Sequence, residues 1–155
     1  MRTIDELIVE SPTFTGMSSE QLKLIAGCAV NEHYGAGQLL LREGEPAERF
    51  YLIRHGLVVL EMNAPGRALK IQTLTDGEVL GWSWLFAPYR WAMDGRTLEE
   101  SSVVAFDGTC LRNKCEEDHE LGYELMQRFA ANLIDRLQAT RLQLIDVYGR
   151  DRVSA

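Results

Sequence analysis

The sequence DGEVLGWSWLFAPYRW, residues 76–91, leads a short apolar strand signal into Gly81 and then into an aromatic-rich turn. Glycine adopts backbone angles that other residues avoid, so Gly81 favours a sharp turn here. The following residues 83–86 are enough for one helical turn, whose free N–H groups would lie beside Gly81. Arg90 adds a guanidinium, which can pair with two phosphate oxygens at once. The segment is therefore a candidate anion-binding turn.

Short extended segments separated by glycine or proline lie on both sides of this turn. They predict eight strands, at Val30–Tyr34, Gln38–Leu41, Arg49–Arg54, Leu57–Met62, Leu69–Leu74, Glu78–Leu80, Ala92–Thr97 and Ser102–Phe106. Many short strands broken in this way are typical of a sandwich or a barrel-like roll. The sequence thus predicts a mainly β region at about residues 30–107, either a sandwich or a barrel-like roll.

Helical patterns flank the predicted roll. In the lead-in, about residues 1–29, the caps at Ser18 and Ser19 precede a helix predicted at Ser19–Ala29. After residue 109 the apolar period becomes 3.6, which predicts C-terminal helices over about 109–148. The first is a short piece at Cys110–Cys115. The second, Asp118–Tyr148, contains no proline and spans roughly 45 Å.

The long helix Asp118–Tyr148 carries more apolar surface than one small roll can cover. One stripe is made of Met126, Phe129, Leu133, Leu137, Leu144 and Tyr148, and Leu125, Ile134, Arg141, Leu142 and Ile145 lie beside it. A wide stripe of this kind is commonly paired with the same helix of a second copy. The sequence predicts a homodimer through this helix. The alternative is a helix packed wholly on its own domain.

Composition limits the classes of partner. A chain of 155 residues that is 46% hydrophobic predicts one domain over residues 1–155. The net charge of −7 argues against nucleic acid or an anionic membrane as the main partner, since both need a concentrated basic face. No apolar run is long enough to cross a bilayer.

The three cysteines are Cys28, Cys110 and Cys115. Their number is odd and their spacing is not that of a metal site. We expect them to be small apolar side chains rather than redox or zinc ligands. Without a signal peptide ahead of them, they point to a reducing cytoplasm.

The order of elements and the glycine spacing resemble the cyclic nucleotide-binding domain family over nearly the whole chain. The residues that carry the resemblance are Phe14, Leu22–Ile25, Gly35–Gly37, Arg42–Ala47, Phe50–Val58, Leu74–Glu78, Gly81, Leu85 and Phe86. The resemblance implies a jelly-roll β-roll, also described as a double-stranded β-helix, with N-terminal helices and a long C-terminal helix. It also implies a cyclic nucleotide as the ligand, with no other cofactor and no metal.

The phosphate-binding turn departs from the family pattern. The family has phenylalanine-glycine-glutamate and later arginine-alanine, with the glutamate on the ribose hydroxyl and the arginine on the phosphate. Here Trp82 follows Gly81 in place of the glutamate, and Arg90 lies close to the arginine position, with Arg96 as the alternative if the register shifts. The candidate ligand-binding residues are Gly81, Trp82, Ser83, Arg90 and Trp91.

Two functions follow from these features. The first is a cytoplasmic, homodimeric sensor that binds a cyclic nucleotide or related small anion in the turn from Gly81 to Arg90. The second is a dimerisation or interaction domain whose pocket is filled by tryptophans. The activators of the family carry a helix-turn-helix domain after the long helix, and we expect no DNA binding by this chain. We also expect no catalysis, since His33, His55 and His119 lie far apart.

Overall fold

A computed structural model describes residues 2–153, with side chains described for residues 2–149. Within that range the chain forms four helices, α1 (Ile4–Glu10), α2 (Ser19–Ala26), α3 (Gly108–Glu117) and α4 (His119–Val153). It also forms eight strands, β1 (Ala29–Tyr34), β2 (Leu39–Leu41), β3 (Arg49–His55), β4 (Val58–Ala64), β5 (Arg67–Leu74), β6 (Val79–Leu80), β7 (Asp94–Thr97) and β8 (Ser101–Asp107). Each predicted strand is present, and its bounds differ from the prediction by at most two residues.

The strands build two antiparallel sheets of four strands. One sheet has the order β1-β8-β3-β6 and the other has the order β2-β7-β4-β5. Neighbouring strands are mostly distant in sequence, because the chain passes back and forth between the two sheets. This is the jelly-roll topology, and the predicted fold class is confirmed.

Strands β3 and β8 are covered on both faces and therefore separate two cores. The roll core lies between the sheets and consists of Leu40, Leu41, Ala47, Tyr51, Ile53, Val58, Leu60, Leu74, Leu80, Trp91, Val103 and Ala105. The helical core lies between the first sheet and the helices and consists of Ile8, Phe14, Met17, Ile25, Cys28, Phe50, Leu52, Val79, Trp84, Val104, Phe106, Leu111, Leu121, Leu125 and Phe129. Successive residues of a strand alternate between the two cores, since strand side chains have a period of two.

The helix bounds follow from local hydrogen bonds. Ser18 forms a capping box with Gln21, so α2 begins where predicted. It ends at Ala26 rather than Ala29, because Ala29 already pairs with Phe106 in the sheet. Asp118 was predicted to be the first residue of the long helix, but it lies outside it. Its carboxylate accepts the Leu121 N–H at 3.2 Å and caps the start of α4. Among the described residues, no helix has the length and apolar character needed to cross a bilayer.

The cysteine prediction is wrong for two of the three residues. Cys28 and Cys110 form a disulfide, although 82 positions separate them in sequence. The pairing of β1 with β8 brings them together, since the Asp107 N–H donates to the Cys28 carbonyl at 2.8 Å. Cys115 is free. The disulfide was not predicted from the sequence, because the contact between its cysteines depends on the order of the strands in the sheet.

The tight turn after β3 gives a stability prediction. Gly56 has a φ of 143°, and a Cβ there would lie 2.1 Å from Ser101 Oγ and 2.8 Å from Ser101 Cα. Because Ser101 is buried and part of its clash is with backbone, we expect Gly56→Ala to lower the free energy of unfolding by roughly 2–5 kcal/mol. Urea denaturation measures this change.

Gly35→Ala is the matched control. Gly35 lies in another turn of the roll, and no atom lies within 4 Å of its added Cβ. We expect its free energy of unfolding to stay within about 0.5 kcal/mol of the parent value. Equal urea midpoints for the two glycine variants would contradict the steric account of Gly56.

The same turn gives a pH prediction through Asp76. Its carboxylate accepts the Gly56 N–H at 2.9 Å and lies 3.2 Å from His55 Nδ1. Both contacts lower the pKa of Asp76, and the Gly56 hydrogen bond has the largest effect. Burial opposes them with a smaller effect than that of the hydrogen bond.

A carboxyl with a lowered folded pKa stabilises the fold above its ordinary pKa, and the contribution disappears as the pH falls through the lowered value. Asp76→Asn should therefore be less stable than the parent at pH 7, with the difference shrinking below about pH 4. Urea denaturation at several pH values tests this. A difference that stays constant down to pH 2 would rule out the ionised carboxylate as its source.

Candidate functional site

The turn from Gly81 to Trp91 leaves the first sheet at its edge strand β6 and leads to β7, which lies between β2 and β4 in the second sheet. Gly81 has a φ of 95°, as the sequence predicts for a sharp turn. The predicted helical turn at residues 83–86 is not a helix. Two hydrogen-bonded turns replace it, closed by Leu85 N–H to the Trp82 carbonyl at 3.1 Å and by Tyr89 N–H to the Phe86 carbonyl at 2.9 Å. Pro88 has no N–H with which to extend a helix.

The end of the turn is fixed by the segment that precedes β3. The Trp91 N–H donates to the Glu45 carbonyl at 3.0 Å, and the Gly44 N–H donates to the Trp91 carbonyl at 2.9 Å. The Ala47 N–H donates to the Tyr89 carbonyl at 2.7 Å. These backbone bonds set the register of Arg90 and Trp91, which the sequence left open.

Trp91 lies inside the roll and contacts Gly81. Its side chain is only 8% exposed and belongs to the roll core. A Cβ at Gly81 would lie 3.0 Å from Trp91 Cη2 and Cζ3 and 3.4 Å from the Phe50 Cα. The glycine is therefore required for two reasons, its positive φ and the close approach of this indole. The indole occupies the space beside the candidate anion-binding turn.

Arg90 and Arg96, the two candidate phosphate ligands, both donate to nearby backbone. Arg90 is exposed, and its guanidinium donates to the Gly44 carbonyl at 2.8 Å. Arg96 donates to the Gly37 carbonyl at 3.2 Å and lies 3.8 Å from the Glu61 carboxylate. Arg90 lies at the end of the turn, whereas Arg96 lies within β7, so Arg90 is the arginine of the turn.

Trp82, at the family's glutamate position, contacts α4. The guanidinium of Arg136 lies 4.7 Å from the centre of its ring and also donates to the Val79 carbonyl. Burial lowers the pKa of Arg136 to about 10, and Glu78 opposes that shift. The guanidinium remains charged at neutral pH, so the ring contact is a cation–π interaction. It joins the long helix to the turn.

Trp84 is a core residue. It is fully buried, stacks on Phe50 at 4.9 Å and meets Phe129 edge-on at 5.3 Å between ring centroids. Its indole N–H has no hydrogen-bond partner, a cost of about 1–3 kcal/mol that the aromatic packing must offset. The three tryptophans therefore lie in three different environments, although ten residues of sequence contain them all.

Arg112 of α3 holds the outer part of the turn. Its guanidinium donates to the Trp84 carbonyl and to Thr109 Oγ1, and it lies 4.7 Å from the centre of the Tyr89 ring. Neither Arg112 nor Arg136 was predicted from the sequence to contact the turn. For Arg136 a signal was available, because it lies seven residues after the buried Phe129 and so recurs on the same helix face.

The structure brings together only part of the predicted site. Gly81 and Trp91 are in contact, whereas Trp82 lies under α4 and Arg90 is exposed at the Gly44 end. Ser83 is buried. Within residues 2–153, no group of three or more histidine, cysteine or acidic side chains is placed to hold a metal ion.

Comparison with known proteins agrees with this geometry. The family described as "Cyclic nucleotide-binding domain" matches residues 31–118, more than half of the chain. The CRP-like cAMP-activated global transcriptional regulator of Mycobacterium tuberculosis is 24% identical over 149 residues, which cover 96% of this chain and 65% of that protein. The anaerobic regulatory protein of Bacillus subtilis is 24% identical over 119 residues, which cover 76% and 50%. The chain spans between half and two thirds of the length of these relatives.

Solved structures show the same fold. A protein from Geobacter metallireducens has a TM-score of 0.78 and 28% identity, with coverage of 88% of this chain and 99% of that one. The Catabolite Activator Protein of Thermus thermophilus has a TM-score of 0.71 and 21% identity, with coverage of 89% and 63%. The family match over residues 31–118, together with the jelly roll, shows that the chain belongs to the cyclic nucleotide-binding domain family.

Proposed function

We propose that this chain is a homodimeric regulatory domain that pairs through α4 and works through protein contacts, with Trp91 filling its roll. The observation that carries the dimer is the exposed apolar surface of the second half of α4. Its members are 50–67% exposed and comprise Ile134, Leu137, Leu142, Leu144, Ile145, Val147 and Tyr148. Single exposed apolar residues are ordinary, but seven on one helix mark an interaction surface.

The side of α4 that contacts its own domain supports the same proposal. Phe129, Arg136 and Gln143 recur at intervals of seven residues. Phe129 is buried, Arg136 contacts the turn, and Gln143 donates to the Ile71 carbonyl at 2.7 Å. Beyond Phe129 the helix contacts its own roll through the polar side chains of Arg136 and Gln143, and most of its large apolar side chains are exposed.

The size of the apolar surface is sufficient for pairing. Burying the exposed part of each of these side chains is worth about 1 kcal/mol, and both copies contribute. Association costs an estimated 4–15 kcal/mol in lost freedom. If all seven residues on each of two copies are buried, the gain is about 14 kcal/mol, which is close to the upper end of this cost and supports pairing.

The residues of the turn do not fit a cyclic nucleotide in the conformation described. Trp82 has no carboxylate to accept a ribose hydroxyl, and leaving that hydroxyl unpaired costs about 1–3 kcal/mol. The ring of Trp91 lies against Gly81, where a ligand's phosphate would have to approach the backbone. These two features support an interaction domain whose roll is filled by an indole.

A second candidate is the sensor predicted from the sequence. It requires the Trp91 ring to leave Gly81 and Arg90 to turn toward a cyclic nucleotide or similar anion. One observation favours it. Arg90 is exposed, and its guanidinium donates to the Gly44 backbone carbonyl, which is a neutral acceptor, so its positive charge is available to an anion. One relative is named as cAMP-activated.

We also propose that residues 1–155 act as one domain. The helical core supports this, because it contains residues of the lead-in, the roll and α4. The domain acts in the cytoplasm, as a regulator related to transcriptional regulators would. It does not catalyse a reaction, and with a net charge of −7 it does not itself contact DNA.

The dimer is tested by placing a charge on the exposed face of α4. We expect the parent protein to sediment at twice the 17.5 kDa chain mass and Ile145→Lys to sediment as a monomer, because pairing would bury the new ammonium group. Sedimentation equilibrium measures both masses.

Val30→Lys is the matched control. Val30 is 54% exposed on β1, and Ile145 is 66% exposed on α4, so both changes put a lysine at an exposed apolar position. Val30→Lys should remain a dimer. The α4 interface would be contradicted by a monomeric parent protein. It would also be contradicted by a dimer that persists in both Ile145→Lys and a second variant, Leu142→Lys.

The ligand is tested by isothermal titration of the parent protein with cyclic AMP and with cyclic GMP. We expect no heat at millimolar nucleotide and no change in tryptophan fluorescence, because Trp91 already lies against Gly81. Micromolar binding would favour the sensor instead.

Arg90→Ala and Arg67→Ala separate a specific site from general charge. Both arginines are exposed, but only Arg90 adjoins the turn. Binding that is lost in Arg90→Ala and kept in Arg67→Ala would establish the sensor and overturn the filled-roll proposal.

A further inference from the structure

The disulfide lies where the roll meets the helices. Cys28 immediately precedes β1, and Cys110 lies in the first turn of α3, which follows β8. The bond therefore encloses the whole roll in one covalent loop. It also joins the end of the lead-in to the helix that continues into α4 after Asp118.

We propose that Cys28 and Cys110 form a reversible thiol–disulfide site that exchanges with dithiols and sets how firmly α3 is held to the lead-in. This inference depends neither on the α4 dimer nor on a nucleotide. A cytoplasmic location adds to it, because disulfides that occur in reducing compartments are usually redox-sensing or catalytic rather than structural.

Backbone contacts hold the two cysteines in range whether or not the sulfurs are bonded. Ala29 pairs with Phe106 in the sheet, and the Asp107 N–H donates to the Cys28 carbonyl at 2.8 Å. The Cα atoms of the two cysteines lie 5.9 Å apart, within the usual range for a disulfide. Reduction therefore leaves the thiols close together, and the bond can form again without refolding.

The bond is open to attack from one side. A cavity of about 300 Å³ is lined by both cysteines together with Gly27, Ala29, Val30, Arg49, Ala105 and Asp107. Cys28 is buried, whereas Cys110 is partly exposed. Exchange requires a thiolate to approach one sulfur in line with the S–S bond. Cys110 is the more exposed of the two cysteines, so it is the point of attack.

The exchange takes place in two steps. A dithiol thiolate attacks Cys110 Sγ, the disulfide breaks, and Cys28 leaves as a thiolate that takes up a proton. The second thiol of the reagent loses its proton, attacks the mixed disulfide and forms a disulfide within the reagent. Cys110 is released and protonated. Two electrons and two protons pass from the dithiol to the protein pair.

Cys115 is not the partner in this exchange. It lies five residues beyond Cys110 on α3, which places it about 140° around the helix. Burial, with a smaller effect of Asp118, raises the pKa of its thiol, so it is a poor nucleophile at neutral pH. The redox pair is thus defined as Cys28 with Cys110.

Reduction weakens the attachment of α3 to the lead-in. The Lys114 ammonium donates to the Leu24 carbonyl at 2.8 Å and keeps one contact between the two. This hydrogen bond and the packing of Leu111 in the helical core constrain the helix less than a covalent bond does. The position of α3 then becomes less fixed, and α4 follows directly from it.

The test is thiol counting on the native full chain, with dithiothreitol as the probe. Samples are quenched in denaturant with iodoacetamide and weighed by mass spectrometry. We expect one labelled cysteine before reduction and three after it, with unchanged circular dichroism. Oxidised dithiothreitol should return the count to one. Reduction should lower Tm by roughly 10 °C, given the length of the loop, and accelerate hydrogen exchange in α3 about tenfold.

Three cysteine variants serve as controls. In Cys115→Ser, the change in label count and the Tm shift should persist. In Cys28→Ser and Cys110→Ser, dithiothreitol should leave Tm unchanged. The proposal is overturned if oxidised dithiothreitol cannot form the pair in the native protein, if the pair is reduced only after unfolding, or if α3 exchange is the same in both redox states.

Discussion

The ring of Phe50 is the contact on which the rest of the structure depends. It stacks on Phe106 at 4.3 Å and on Trp84 at 4.9 Å, and it meets Phe129 edge-on at 5.0 Å. These partners belong to β8, to the aromatic turn and to α4. One side chain on a central strand thus fixes the sheet, the turn and the long helix relative to each other. Aromatic pairs of this kind add about 0.5–1.5 kcal/mol each beyond the area that they bury.

That constraint explains why the three tryptophans separate. The turn starts at the edge strand β6 of the first sheet and leads to β7 of the second sheet, so side chains along it face different layers. Trp84 joins the helical core, and Trp91 joins the roll core. Trp82 remains between the roll and α4, under Arg136. A single sequence cluster therefore supplies the helical core, the interior of the roll and the contact with the long helix.

The local signals of glycine positions and apolar residues were sufficient for the strands, and the resemblance to the family added the jelly roll. Neither was sufficient for contacts that depend on strand order. Nothing near Cys28 indicates Cys110, and the link appears only once β1 lies beside β8. The same reason applies to the turn. Its glycine was predicted correctly, but which indole would contact Gly81 depends on the backbone bonds between Gly44 and Trp91.

The long helix has two tasks, and its sequence separates them. Up to Phe129 it completes the helical core, and beyond it Arg136 and Gln143 hold it against its own roll with charge and hydrogen bonds. Polar contacts of this kind are weaker and easier to rearrange than a packed core, since water can replace them. The exposed apolar residues are available for the proposed pairing, which needs area rather than direction. A change in the turn under Arg136, or in α3 beside the disulfide, would therefore reach the exposed apolar surface of α4 through the least firmly held half of the helix.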